Sequence, residues 1–176
     1  MFRTILVYGA IAGTIIIATM VGGMMLAGSE GGASSLWFGY LTMLVAFSLI
    51  FVGIKRYRDN QLGGVIKFWP AFGLGIGIGA VAGLFYVIGW EISLHMTDFA
   101  YLETYREDME TAYRAKDLTA DVLAEKLAGL DEMMVNYMNP LYRMPLTFLE
   151  PSPVSLVVSL ISAVLLRNPK VFPARV

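Results

Sequence analysis

Long apolar runs without a single charged side chain are the feature that most constrains how this chain folds. The first extends from Ile5 to Ala27, the second from Leu36 to Ile54 and the third from Phe68 to Trp90. A helix of about 20 apolar residues crosses the hydrocarbon core of a bilayer, so each run predicts a transmembrane helix. A cleaved signal peptide is the poorer interpretation of the first run, which exceeds the roughly 7–15 residues of a signal's apolar region.

The fourth apolar segment, "LTFLEPSPVSLVVSLISAVLL" from Leu146 to Leu166, is less regular because it holds Glu150 and two prolines. Pro153 suits the first position of a helix, with Ser152 as its N-cap. A helix that begins there and ends with the run rises about 21 Å, which is too short to cross alone. We therefore expect Leu141 to Ser152 to complete the crossing as an angled or interrupted piece.

The composition supports a membrane protein, since 57% of the residues are hydrophobic and only 15% are charged, against roughly 45–50% and about 25% in soluble domains. No basic tract with interleaved aromatics is present, so nucleic acid is not an expected partner. The chain has no cysteine and one histidine, His95, which excludes disulfides and thiolate metal sites. No catalytic motif appears, and we predict no catalytic residue, metal or cofactor.

Basic residues indicate how the spans are threaded. Four spans would place eight of them on the same side: Arg3, Lys55, Arg56, Arg58, Lys67, Arg167, Lys170 and Arg175. By the positive-inside rule that side, with both termini, is cytoplasmic. The same pattern supports counting the interrupted fourth segment as a span, because an odd number would split the clusters. The loop "GSEGGASS" and the long segment after Trp90 then lie outside.

That long segment, Glu91 to Glu150, is strongly acidic, with twelve acidic and five basic side chains and a net charge of −7. Apolar residues recur at helical spacing on both sides of "RAKDLTAD", where Asp117 or Thr119 is the expected N-cap of the second helix. The segment predicts an amphipathic helical hairpin outside the cytoplasm. We favour a solvated face for its charges over an acidic platform for cations or a partner.

These elements predict an all-α membrane protein of four transmembrane helices, with an extracytoplasmic helical hairpin between the third and fourth. Residues 1–90 form the first three helices. Residues 91–140 form the hairpin, and residues 141–176 form the broken fourth segment and a basic cytoplasmic tail.

Glycines crowd the third span, in "AFGLGIGIGAVAG", which contains a match to the dinucleotide-binding pattern. That pattern needs a strand before it in a soluble unit, and this run lies inside an apolar span. Glycines four residues apart instead let transmembrane helices approach closely. We expect helix packing through Gly75, Gly79 and Gly83, and through Gly9 and Gly13 in the first span, with a partner in the same chain favoured over a second copy.

Four polar residues are expected at the outer edge of the membrane. Glu91 and His95 lie one helical turn apart beyond Trp90, and Arg143 and Glu150 enter the fourth span on the same side. Charges within the hydrocarbon are costly, so such groups are expected at the interface or in pairs. They form a candidate ion-pair or relay cluster. We favour structural anchoring over a proton or cation relay, in which Glu150 would be the protonatable group.

The segments "GIKRYRDNQLGGVIKFWPAFGLGIGIGAVAGLFYVIGWEI" and "PLTFLEPSPVSLVVSLISAVLLR" resemble those of the integral-membrane family called domain of unknown function 4199. The resemblance extends over essentially the whole chain. It implies a small four-span protein of the bacterial inner membrane with an extracytoplasmic helical insert. The family brings no known activity, so no site residue follows from it.

The sequence favours a non-enzymatic structural or regulatory membrane protein that presents an acidic hairpin outside. The alternative is a small oligomeric transporter or proton- or cation-coupled permeation protein that uses Glu150 and Glu91. An envelope enzyme or lipid-handling protein is a third interpretation. The lipid bilayer is the expected partner, together with a second copy of the chain or another membrane protein.

Overall fold

The structure, a computed structural model, describes the backbone of residues 1–27 and 36–173 and the side chains of 1–22 and 39–173. It is all-helical over these residues, which confirms the predicted fold class. The helices are α1 (Phe2–Ala27), α2 (Leu36–Gln61), α3 (Phe68–Met96), α4 (Ala100–Arg114), α5 (Ala120–Tyr137), α6 (Pro140–Leu149) and α7 (Ser152–Leu166). The loop "GSEGGASS" lies outside the described residues.

Four helical segments are long and apolar enough to cross a membrane: Phe2–Gly22, Gly39–Gln61, Phe68–Met96 and Pro140–Leu166. The four-span prediction is thereby confirmed, and the fourth segment is built from two helices, α6 and α7. The chain is a multi-pass membrane protein.

The third span is longer than predicted, because α3 continues past Trp90 to Met96. No proline or glycine lies between Trp90 and Met96 to interrupt the helix. The helix ends where Asp98 and Phe99 adopt positive φ angles of 46° and 62°, and the Phe99 amide donates to the Leu94 carbonyl over 2.9 Å. A left-handed ending of this kind satisfies carbonyls freed at a helix C-terminus.

The chain divides into two compact units. The first, called the bundle unit below, consists of Met1–Gly89 and Phe148–Val176. The second, called the hairpin unit, consists of Trp90–Thr147 and contains α4, α5, most of α6 and the last turns of α3.

In the bundle unit α2 packs against both α1 and α7. The core is closed by large apolar side chains that are fully buried, including Phe47, Ile50, Leu74, Ile78 and Leu166. Large apolar side chains also remain exposed on the same helices, such as Leu44 on α2 and Ile161 on α7. Helices that are apolar on every face are typical of membrane spans.

Glycines bring α1 close to α3 in the bundle unit. A Cβ atom on Gly9 would lie 2.5 Å from Val81 Cβ, and one on Gly13 would lie 2.3 Å from Phe85 Cβ. Carbon atoms do not approach so closely without a clash. A larger residue at either position therefore requires the two helices to separate.

A second set of glycines brings α3 against the fourth span. A Cβ on Gly75 would lie 2.7 Å from Ser159 Oγ, and one on Gly79 would lie 2.8 Å from Ser155 Cβ. A Cβ on Gly83 would lie 3.0 Å from Phe148 Cε2. Small residues thus face small residues along most of this contact, which lets the two backbones approach. All of these neighbours belong to the same chain.

In the hairpin unit α4 packs against α5, and each helix has one buried leucine, Leu102 on α4 and Leu130 on α5, at 6% and 5% exposure. Thr119 precedes α5 in an extended conformation, with φ −64° and ψ 154°, but makes no capping hydrogen bond with its side chain. The predicted pair of amphipathic helices is confirmed.

Candidate functional site

An ion pair with two hydrogen bonds joins α3 to α6 in the hairpin unit. Arg143 Nε donates to Glu91 Oε1 over 2.6 Å, and Nη2 donates to Oε2 over 2.7 Å. Arg143 Nη1 also donates to the carbonyl oxygens of Tyr137 and Met138, at 3.0 and 3.1 Å. We call this set, Arg143 with Glu91 and the two carbonyls, the Arg143 clamp.

The local sequence explains why these groups meet. The last carbonyls of a helix have no partner within it, and α5 ends at Tyr137. Asn139 then starts α6, since its Oδ1 accepts the Leu141 amide at 3.0 Å and Pro140 occupies the first helical position. Arg143, one turn into α6, reaches back to the free carbonyls of α5.

The clamp is closed to a substrate. The side chain of Arg143 is 2% exposed and that of Glu91 is 16% exposed, and the guanidinium carbon lies 5.4 Å from the centre of the Phe99 ring. A buried ion pair is tolerated when its geometry is good and further hydrogen bonds satisfy it, and here four hydrogen bonds do so. The fork that would bind a carboxylate or phosphate ligand is occupied by Glu91.

His95 lies beside the clamp without taking part in it. Its Nδ1 lies 2.8 Å from the Glu91 carbonyl oxygen, and because a carbonyl only accepts, Nδ1 is the donor. The ring centre lies 5.3 Å from that of Phe99, and the residue is exposed. In the described part of the chain, no three His, Asp or Glu side chains are placed to hold a metal ion.

Glu150 belongs to the bundle unit and has a different partner. The Tyr86 hydroxyl donates to Glu150 Oε2 over 2.8 Å, and Glu150 itself is exposed at the break between α6 and α7. The predicted cap of α7 is wrong, because Pro151 occupies the N-cap position and the Ser152 hydroxyl donates backward to the Phe148 carbonyl over 2.9 Å. A serine hydroxyl that follows a helical turn competes for such a carbonyl.

A second buried arginine, Arg58 near the end of α2, was interpreted from the sequence only as part of a basic cluster. It is 0% exposed, and its Nε donates to Asp59 Oδ1 over 2.7 Å. Nη1 donates to the carbonyls of Leu166 and Val171 at 3.3 and 3.1 Å, and Nη2 donates to the Phe172 carbonyl. Lys55, Arg56 and Arg58 lie within one turn of α2, and the sequence alone does not indicate which of them is buried.

Ion pairs on the hairpin involve only part of its charge. Arg106 donates to Asp131 Oδ1 from Nε and Nη2, at 3.0 and 2.8 Å, and Arg114 Nη2 lies 2.7 Å from Glu110 Oε1. The hydrogen bond to Asp131 raises the pKa of Arg106 above its ordinary value. The exposed carboxylates Glu103, Glu107, Asp108, Asp117, Asp121, Glu125 and Glu132 make no ion pair within the described residues.

An open groove of about 560 Å³ runs between α4 and α5, mostly apolar and partly aromatic in its lining. A shallower depression is lined by Glu91, Ile92, His95 and Met96, which all lie on one side of α3 and so do not enclose a ligand. The α4–α5 groove is therefore the better candidate binding surface of the hairpin unit. No pattern in the sequence had indicated it.

Four apolar spans, a bundle packed through glycines and a clamped helical hairpin define a multi-pass all-α integral membrane protein. Within that class the chain belongs to the family described as "Protein of unknown function (DUF4199)", whose model matches residues 7–168. The resemblance drawn from the sequence is confirmed. No curated protein and no solved structure matches the chain.

Proposed function

We propose that this protein is a structural or regulatory component of the bacterial inner membrane, which presents the acidic α4–α5 hairpin outside the cytoplasm. The Arg143 clamp is the observation that carries the proposal. It uses the most buried ionic group of the hairpin unit to tie α3, α5 and α6 together. A pair satisfied in this way fixes the position of a displayed element and leaves no open group for turnover.

The distribution of basic residues supports the orientation. Four spans place Arg3, Lys67 and Arg167 on the same side of the membrane. Positive residues next to spans are retained in the cytoplasm. The hairpin, which lies between the third and fourth spans, is then on the opposite side.

A proton- or cation-coupled permeation function is the second candidate, and Glu150 favours it. This carboxylate lies within an apolar span and has the Tyr86 hydroxyl as its hydrogen-bond donor. Ionisable residues inside spans frequently mark ion pathways. Glu91, the other residue of that candidate, is already bound to Arg143. If the second candidate is correct, Glu150→Gln abolishes ion flux into proteoliposomes.

Single-cysteine labelling tests the orientation, because the chain has no cysteine of its own. Thr119→Cys, before α5, and Gln61→Cys, at the end of α2, both replace exposed residues. In intact spheroplasts a membrane-impermeant thiol reagent is expected to label the first variant at once and the second only after permeabilisation. Labelling of Gln61→Cys alone would overturn the proposed display of the hairpin outside.

A further inference from the structure

The groove between α4 and α5 has the shape and lining of a surface that receives a helix. Its walls are formed by two neighbouring helices only, so one long side stays open. The lining residues of α4 are spaced four residues apart over about 12 Å of helix, and those of α5 extend over about 16 Å. The groove lining includes Tyr105, Met109 and Tyr113 from α4 and Val122, Gly129 and Met133 from α5.

Gly129 is the least expected residue of the groove. Glycine in the middle of a helix costs up to about 1 kcal/mol relative to alanine, and Gly129 lies well inside α5. Its backbone is not left-handed, and an added Cβ would meet no atom within 4 Å. The fold itself therefore has no need of a glycine here, whereas a helix that approaches closely from outside does.

The charge of the hairpin is one-sided, although the groove lining itself holds one charge of each sign, Glu125 and Lys126. Over α4, α5 and their connection, seven carboxylates make no ion pair within the described residues, against Lys116 and Lys126 among the cations. The surplus of these carboxylates gives the hairpin a net negative field that attracts cationic partners.

We propose that the α4–α5 groove binds an amphipathic helix with a cationic polar face, contributed by a partner protein. This deepens the proposed function and rests on it, because it names the kind of partner for which the hairpin is displayed. The apolar face of the partner helix lies on the Tyr105 to Tyr113 stripe and over Gly129. Its lysines or arginines are attracted by the surplus of unpaired carboxylates on the hairpin, in the helix-in-groove mode.

An anionic membrane surface is the occupant that this charge argues against. Lipid headgroups of the negative sign attract polybasic segments. The hairpin is acidic and not basic, so an anionic membrane surface repels it.

Peptide binding to the full-length protein tests the proposal. The probes are two fluorescein-labelled amphipathic helices of about 18 residues, one of leucine and lysine and one of leucine and glutamate with the same apolar positions. The protein is held in phosphatidylcholine nanodiscs, with empty nanodiscs as the background, and binding is followed by fluorescence anisotropy. The matched variants are Gly129→Ala, which adds a single methyl group to the groove, and Gly129→Trp, which fills it.

We expect the leucine–lysine peptide to bind the wild type most tightly, Gly129→Ala more weakly, and Gly129→Trp at least about tenfold more weakly than the wild type, or about 1.4 kcal/mol. The leucine–glutamate peptide should show no saturable binding. Val122→Arg, at a residue that is 39% exposed, is a second variant that places a repelling charge in the groove without disturbing the core. It should weaken binding of the leucine–lysine peptide as well.

Binding to Gly129→Ala, Gly129→Trp and Val122→Arg as tight as binding to the wild type would overturn the proposal. So would equally tight binding of the two peptides, because charge would then play no part. The labelling of Thr119→Cys is independent of this titration. If Thr119→Cys is labelled but the groove variants bind the peptide like the wild type, the proposed function stands and only the groove proposal fails. If the groove variants weaken binding but Thr119→Cys is not labelled from outside, the proposed display of the hairpin fails and the groove remains a peptide-binding surface.

Discussion

Two arginines satisfy carbonyls that helix ends leave free. Arg143 binds those at the end of α5, and Arg58 binds those at and beyond the end of α7. Each also holds a carboxylate, Glu91 or Asp59. Hydrogen bonds to a charged group contribute about 1.5–3 kcal/mol each. A guanidinium suits this position because its several N–H groups point in fixed directions, which an ammonium group does not provide.

Exchanging the charges of the clamp should fail to restore it. Glu91→Arg and Arg143→Glu each leave a buried charge without its partner, which costs about 3–5 kcal/mol. The double variant recovers an ion pair, but a glutamate at position 143 has no N–H to donate to the carbonyls of Tyr137 and Met138. We expect the double variant to remain at least about 1.5 kcal/mol less stable than the wild type.

Reversible unfolding in mixed detergent micelles measures this difference. Arg106→Glu with Asp131→Arg is the control, since that pair is exposed and contacts no carbonyl, although Arg106 also lies 3.5 Å from Glu110. Its charge swap, which also loses the exposed pair with Glu110, should leave the free energy of unfolding within about 1 kcal/mol of the wild type. Full recovery by the Glu91 and Arg143 swap would show that the carbonyl contacts contribute nothing.

At the scale of elements, the spans and the hairpin were predictable because apolar runs and helical spacing are properties of the sequence itself. The end of α3 was not, because it is set by the left-handed backbone at Asp98 and Phe99, neither of which is a glycine. The sequence predicted that the candidate polar residues lie at the same depth in the membrane, but depth does not determine the direction in which each side chain points. Which side chain meets Arg143, and that Tyr86 meets Glu150, depends on how the helices are rotated about their axes.

The glycines of α3 should differ sharply in their tolerance of a larger residue. Gly79→Leu drives its side chain into Ser155, where a Cβ alone would lie at 2.8 Å, whereas Gly73 has nothing within 4 Å. We expect Gly79→Leu to lose at least about 2 kcal/mol by overpacking and Gly73→Leu to keep wild-type stability. Thermal unfolding in detergent, followed by size-exclusion chromatography, measures both. Equal losses would mean that α3 and α7 do not pack as described.

At the scale of the whole molecule, the two compact units should respond separately to damage. Arg58→Gln removes hydrogen bonds to carbonyl oxygens within the bundle unit, and Arg143→Gln removes such hydrogen bonds within the hairpin unit. Contiguous compact units of a protein often open as separate cooperative units. We expect hydrogen exchange to accelerate in α2 and α7 for the first variant and in α5 and α6 for the second.

Mass spectrometry of the protein in nanodiscs resolves these regions. Arg56→Gln is the control for Arg58→Gln, because Arg56 is exposed on the same turn. It should leave exchange unchanged throughout. Acceleration over the entire chain in both arginine variants would instead indicate one cooperative unit.

The contacts of Arg58 also set an order of events during synthesis. Its carbonyl acceptors lie 108 to 114 residues later in the chain. A ribosome that adds roughly 5–20 residues per second delivers them on the order of 10 s after the arginine has emerged. Until then the guanidinium has the neighbouring Asp59 carboxylate and otherwise water or lipid headgroups to solvate it. This side of the bundle is therefore completed only by the last residues synthesised, and a chain truncated before Val171 leaves a buried guanidinium without two of its three carbonyl acceptors.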